Sequence, residues 1–123
     1  MNSTRVKLLS AATLLWTALL LYLSLSPGPP QIAGPLGWDK LQHAFALGFL
    51  AFLAALVCQS LNISFKKAIF LGFISASFFG ALIELLQGLC TSSREADIYD
   101  IFADVVGASI AVLFLIVRNT RKP

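Results

Sequence analysis

Residues 93–117 have the sequence SREADIYDIFADVVGASIAVLFLIV. It carries five charged residues in its first twelve positions, and from Val105 onward it is uncharged and mostly apolar. About 20 apolar residues in a helix are enough to cross the ~30 Å hydrocarbon core of a bilayer. The stretch therefore predicts a transmembrane helix with a strongly acidic beginning.

The rest of the chain has the same apolar character. Of its 123 residues, 58% are hydrophobic and 12% are charged, whereas a soluble domain carries about 25% charged residues. We predict an all-α membrane protein, one domain over residues 1–123. Four transmembrane helices would form a small bundle, at about residues 6–26, 42–61, 68–89 and 98–117. The first could instead be a signal peptide, but its apolar stretch exceeds the usual ~7–15 residues, so we keep it as a helix.

Basic residues indicate the orientation, because short loops rich in Lys and Arg stay in the cytoplasm. Only Lys40 and Arg94 lie outside if both termini are cytoplasmic. The basic residues then inside are Arg5, Lys7, Lys66, Lys67, Arg118, Arg121 and Lys122. We therefore predict that both termini are cytoplasmic. The pI of 9.1 follows from this bias, so nucleic acid is not expected as a partner.

All the acidic residues fall at the outer side of this topology. Asp97, Asp100 and Asp104 share one helix face, and Asp104 lies about 10 Å along the axis from Asp97. The helix dipole favours negative charge only in the first turn, so it explains Asp97 and not Asp104. Asp39, Glu95 and Asp97 also fit ordinary charges at the level of the lipid headgroups.

Glu84 lies ~7 Å below the outer end of the third helix. Carboxylates at such depth usually face the interior of a bundle and find a partner. Gly72, Ala76 and Gly80 precede Glu84 at intervals of four residues, and such a stripe of small side chains lets a neighbouring helix pack closely. The same stripe leaves open a homo-oligomer through Gly72, Ala76 and Gly80.

Polar residues of three helices should meet at this depth. Asp39, Lys40 and His43 share a face at the start of the second helix, and Gln87 lies one turn beyond Glu84. We predict one polar binding site with the members Asp39, Lys40, His43, Glu84, Gln87, Arg94, Asp97, Asp100 and Asp104.

Three ordered motifs resemble the VanZ-like family of bacterial membrane proteins. They are DKLQH at 39–43, ELLQ at 84–87, and R-x-x-D-x-x-D at 94–100 followed by GA at 107–108. The resemblance implies a multi-pass domain in the bacterial cytoplasmic (inner) membrane, with a namesake associated with teicoplanin resistance but no settled activity. The family's polar signature covers the predicted site except Asp104, where the family usually has Asn. We expect Glu84 to be the partner of Asp104, with the two carboxyl groups sharing a proton.

Four functions fit these residues. The first is binding of a polar or anionic group of a membrane lipid or lipid-linked envelope component, with Lys40 and Arg94 as anion contacts. The second is an enzyme on such a substrate, with His43 or Glu84 as general acid or base or with a divalent cation on the carboxylates and His43. No motif identifies a metal or cofactor. The third is proton-coupled transport through the acidic residues. The fourth is a structural clasp, in which the polar residues only hold the helices together.

Overall fold

Four helices make up the regular structure of the described part of the chain, which covers residues 2–27, 38–92 and 96–123 in the computed structural model. They are α1 (Ser3–Leu25), α2 (Trp38–Ser60), α3 (Phe65–Cys90) and α4 (Ile98–Thr120). Each is long and apolar enough to span a membrane, with mean hydropathy between 1.9 and 2.3. The predicted all-α class and the four spans are confirmed.

The helix ends lie within four residues of the prediction, and the largest difference is at the start of α2. α2 begins at Trp38 rather than at residue 42, because Asp39 in a first turn is favoured by the helix dipole. α4 begins at Ile98 as predicted. Asp97 is its N-cap, and the Asp97 side chain accepts a hydrogen bond of 2.9 Å from the Tyr99 backbone N–H. The polar start of α4 is therefore built into the helix geometry.

The turn between α2 and α3 is tight, as the sequence predicts. Asn62 has a positive φ of 64°, a conformation that Asn tolerates better than most residues. The Ile63 N–H then bonds to the Cys58 carbonyl at 3.0 Å, which satisfies one of the free carbonyls at the end of α2. The turn forces α3 to run back along α2.

α2 and α4 run parallel and approach backbone to backbone. A Cβ atom added at Gly107 would overlap the Ala44 backbone, and one added at Gly48 would lie 2.7 Å from the Gly107 carbonyl oxygen. Both glycines are needed because the two backbones leave no room for a side chain. α2 and α4 are thereby held at a fixed separation.

α3 is antiparallel to this pair and packs through its small residues. Ala76 is fully buried, and a Cβ added at Gly72 would lie 2.6 Å from the Ala51 carbonyl oxygen of α2. The predicted close packing of the stripe is thus made inside one chain. Association of two copies of the chain stays a prediction.

α1 lies at the periphery, where most of its surface is exposed. The Trp16 indole N–H donates to the Ala46 carbonyl at 3.0 Å, and the ring stands edge-on to Phe49 of α2. The beginning of α1 and the end of α4 lie at the same end of the bundle, together with the α2–α3 turn. Which side of the membrane this end faces remains a prediction.

Replacing Gly107 with Ala should destabilise the bundle by about 1–3 kcal/mol, because the added methyl group must push the α2 and α4 backbones apart. Thermal unfolding of the purified protein in detergent would measure the change. Gly88→Ala is the matched control, because its Cβ would meet only Ala96, at 3.3 Å. Equal unfolding temperatures for the two variants would contradict the close approach.

Candidate functional site

Polar side chains from three helices meet at one end of the bundle, here called the acidic end. α2 supplies Asp39, Lys40 and His43 from its first two turns, and α3 supplies Glu84 and Gln87 from its last two. The remaining members come from the beginning of α4: Asp97, Asp100 and Asp104. Eight of the nine predicted site residues are thus brought together. The ninth, Arg94, lies outside the described residues, as does Glu95.

Lys40 connects α2 to α4 through buried ion pairs. Its ammonium lies 2.8 Å from Asp97 Oδ2 and 2.7 Å from Asp100 Oδ1, and it also contacts Asp39 Oδ2. The Lys40 residue is only 5% exposed and Asp100 is fully buried. The charge of Lys40 is therefore neutralised by carboxylates of its own chain. This argues against the predicted role of Lys40 as a contact for a bound anion.

Asp97 has a second function beside capping α4. Burial by itself acts to raise the pKa of the Asp97 carboxyl, but the hydrogen bonds from Lys40 and from the Tyr99 N–H outweigh burial and leave the pKa below its ordinary value. The ionised form is thereby favoured. The ionised Asp97 side chain therefore keeps the beginning of α4 close to Lys40.

Asp104 pairs with His43, not with Glu84 as expected from the sequence. Asp104 Oδ1 lies 3.1 Å from His43 Nδ1, and the other ring nitrogen, Nε2, lies 3.5 Å from Asp100 Oδ2. A Cβ added at Gly80 would overlap the Asp104 carboxylate. The missing side chain of Gly80 therefore makes the space that the buried Asp104 occupies.

Glu84 instead connects α3 to the beginning of α4. Its Oε2 accepts a hydrogen bond of 2.8 Å from the Asp97 backbone N–H, while its Oε1 has no hydrogen-bond partner among the described residues. Two groups of side chains have the geometry to hold a metal ion, with ligand atoms within 4.8 Å of one another. They are His43, Glu84 and Asp100, and Asp39, Asp97 and Asp100.

Gln87 connects the site to α1. Its side-chain amide donates to the Ser24 carbonyl at 2.8 Å. This contact fixes the end of α1 beside the acidic end, although α1 contributes no charged group there. Sequence reasoning assigned Gln87 to the site but gave no sign of Ser24, because a backbone carbonyl at the end of an apolar helix carries no pattern.

A cavity of about 460 Å³ lies between α1, α2 and α3 and reaches His43. His43, Gln42, Gln87 and Ser24 form its polar part. Its apolar lining includes Trp16, Leu19, Leu20, Leu23, Leu47 and Ile83. The polar part of the cavity thus touches the acidic end, while the apolar part extends along α1. A second cavity of about 500 Å³, between α2 and α4, is almost wholly apolar.

Replacing Lys40 with Met should destabilise the protein by about 3–5 kcal/mol, because the buried carboxylates would lose their common cation. The measurement is the unfolding midpoint in detergent together with the folded amount in the membrane. Lys66→Met is the matched control, since Lys66 is exposed at the other end of the bundle. A Lys40→Met protein as stable as the control would contradict the ion-pair role.

The comparisons with known proteins agree with the motifs. The family model described as VanZ/LLP1 matches residues 4–119, so the match covers all four helices. No match was found among curated proteins or among solved structures. The family match spans nearly the whole chain, and its four helices are long and apolar enough to span a membrane, so this protein belongs to the VanZ/LLP1 family.

Proposed function

We propose that this protein binds a lipid or lipid-linked component of the bacterial cell envelope and recognises its polar group at the acidic end. In this proposal the protein lies in the bacterial inner membrane with both termini in the cytoplasm, so the acidic end faces outward. The charge bias of the loops supports this orientation, since all the basic residues except Lys40 and Arg94 belong to the opposite side.

The cavity beside α1 is the observation that carries the proposal. One part of its lining is apolar, from residues such as Leu20 and Leu23, and the other is polar, from His43 and Gln87. Its volume of about 460 Å³ lies in the range of small-molecule sites, which is about 300–1,000 Å³. A lipid-like molecule has the same division, because its chain is apolar and its headgroup is polar.

The polar groups at this cavity are suited to recognition. His43 is fixed by Asp104 and Gln87 is fixed by the Ser24 carbonyl, so neither needs to be ordered when a ligand binds. Gln87 Oε1 is buried and has no hydrogen-bond partner among the described residues. It can accept a hydrogen bond from the hydroxyl or amide of a ligand. Arg94 remains the proposed anion contact.

The resemblance to VanZ-like proteins supports a link to antibiotics that act on the envelope. A protein that binds a lipid-linked precursor or alters its exposure would change the amount of precursor that a glycopeptide can bind. Loss of this protein is then expected to lower tolerance of such antibiotics. This proposal requires binding only, and it does not require the protein to touch the antibiotic.

An acid–base enzyme is the second candidate, favoured by the His43–Asp104 pair. A carboxylate that fixes a ring nitrogen of His orients the imidazole for proton transfer, and His43 borders the cavity. Turnover of a lipid-linked phosphate by the purified protein, lost in His43→Ala, would favour this candidate. Binding without turnover would favour the first.

The binding proposal predicts that His43→Ala and Gln87→Leu weaken binding of a short-chain polyprenyl phosphate or of phosphatidylglycerol by about tenfold. Gln87→Leu removes the acceptor Oε1, and His43→Ala removes the ring that lines the polar part of the cavity. Native mass spectrometry of the protein in mild detergent would measure the bound fraction of each probe. Leu23→Trp should have a similar effect by filling the apolar part while leaving the acidic end intact.

Phe78→Leu is the control, because Phe78 is exposed and lines neither cavity. Membrane abundance is measured in parallel, because a purely structural clasp predicts less folded His43→Ala protein rather than weaker binding. Wild-type affinity for both probes in folded Leu23→Trp and Gln87→Leu proteins would refute the proposal.

A further inference from the structure

The acidic end contains more negative than positive charge among the described residues. Five carboxyl groups meet there, and the ammonium of Lys40 forms ion pairs with three of them. Glu84 is 2% exposed, and Asp100 and Asp104 are fully buried. Buried carboxylates need a compensating positive charge, because water cannot screen their mutual repulsion. The ion pairs of Lys40 are with Asp39, Asp97 and Asp100. Glu84 and Asp104 are the remaining carboxyl groups of the cluster.

Several buried carboxylate oxygens of the acidic end lack a hydrogen-bond partner among the described residues. Glu84 Oε1, Asp100 Oδ2 and Asp104 Oδ2 are buried oxygens with no hydrogen-bond partner there. An ionised carboxylate can only accept hydrogen bonds, so three such oxygens cannot satisfy one another. Two of these oxygens belong to Glu84 and Asp100, which together with His43 offer ligand atoms within 4.8 Å of one another, so a cation bound there would satisfy them.

His43 is oriented to join them. Because the Asp104 carboxylate accepts, the proton of the neutral ring belongs on Nδ1, 3.1 Å away, which leaves the Nε2 lone pair facing Asp100 Oδ2 at 3.5 Å. Two lone pairs facing each other repel unless a proton or a metal cation lies between them. A histidine that binds metal through one nitrogen commonly donates its other N–H to a carboxylate, and His43 and Asp104 have this arrangement.

We propose that His43, Glu84 and Asp100 form a binding site for a divalent first-row metal ion such as Mn²⁺ or Zn²⁺, with Asp104 as the residue that positions His43. One ligand atom from each of the three lies within 4.8 Å of the others. Ligands of one such ion stand about 3–4 Å apart at bond lengths of about 2.0–2.2 Å, so closing by about 1 Å completes the site. An imidazole with two carboxylates suits these metals better than Ca²⁺ or Mg²⁺.

The proposal also gives a role to the buried acid at position 104. An aspartate holds the Nδ1 proton of His43 more strongly than an amide and raises the basicity of Nε2 as a ligand. It does not depend on lipid binding, because the site consists only of this chain's side chains. A metal held there would also offer an anionic headgroup a positive charge beside the cavity.

Mn²⁺ alone is the probe for the test, with the untagged full chain in vesicles of neutral lipid and no other protein present. Electron spin-echo spectroscopy should show ¹⁴N modulation from an imidazole on about one Mn²⁺ per chain. His43 is the single histidine of the chain, so this signal can come only from His43. Bound Mn²⁺ without ¹⁴N modulation, or no bound Mn²⁺, would overturn the site, and this result needs no variant to fold.

Substitutions locate the ligands. Glu84→Gln and Asp100→Asn should weaken Mn²⁺ binding at least about tenfold, and Asp104→Asn about tenfold through its effect on His43. Asp39→Asn distinguishes the two metal-binding groups, because Asp39 belongs to the other one, and it should change the affinity by less than about threefold. A larger loss in Asp39→Asn than in Glu84→Gln would refute the proposed ligands. Leu23→Trp should bind Mn²⁺ normally, which separates this test from that of lipid binding.

Discussion

The burial of carboxylates between α2, α3 and α4 is the constraint on which the acidic end depends. Placing Asp100 and Asp104 out of contact with water costs free energy unless each finds a compensating group. Lys40 and His43 of α2 supply those groups to α4, and the Asp97 backbone N–H supplies one to Glu84 of α3. The charges therefore fix the relative position of three helices as well as forming a site.

Close backbone packing makes these contacts possible. Gly48 and Gly107 allow α2 and α4 to approach until their backbones touch, and Gly80 leaves the space that the Asp104 carboxylate fills. Side chains as short as Asp can reach across a helix interface only when the helices lie this close. α1 stands outside this arrangement and is attached by Trp16 and Gln87, so a cavity opens between α1 and the other helices. The apolar part of that cavity and the polar cluster meet at His43.

The candidate site was predictable because a charged side chain deep in a membrane costs free energy, so such side chains are expected to pair with one another. Asp104 and Glu84 were identified by depth alone, and helical spacing placed them on inward faces. Their pairing was not predictable. Spacing along one helix does not report the rotation of its neighbour, and the structure assigns Asp104 to His43 and Glu84 to the Asp97 N–H. The ion pairs of Lys40 were also not predictable, because sequence cannot show that three carboxylates surround its ammonium.

The sequence by itself determined the all-α class, the four spans and the stripe of small residues, because the apolar runs and their length follow from what a bilayer accepts. It also determined which residues are too deep to be ordinary headgroup charges. Only the tertiary structure decided that the stripe packs inside one chain, that Lys40 is enclosed by carboxylates, and that the cavity beside α1 reaches His43. The reason is physical. Periodicity reports which face of a helix is buried, but contact between atoms of different helices depends on their separation and rotation, which the packing of all four helices sets together.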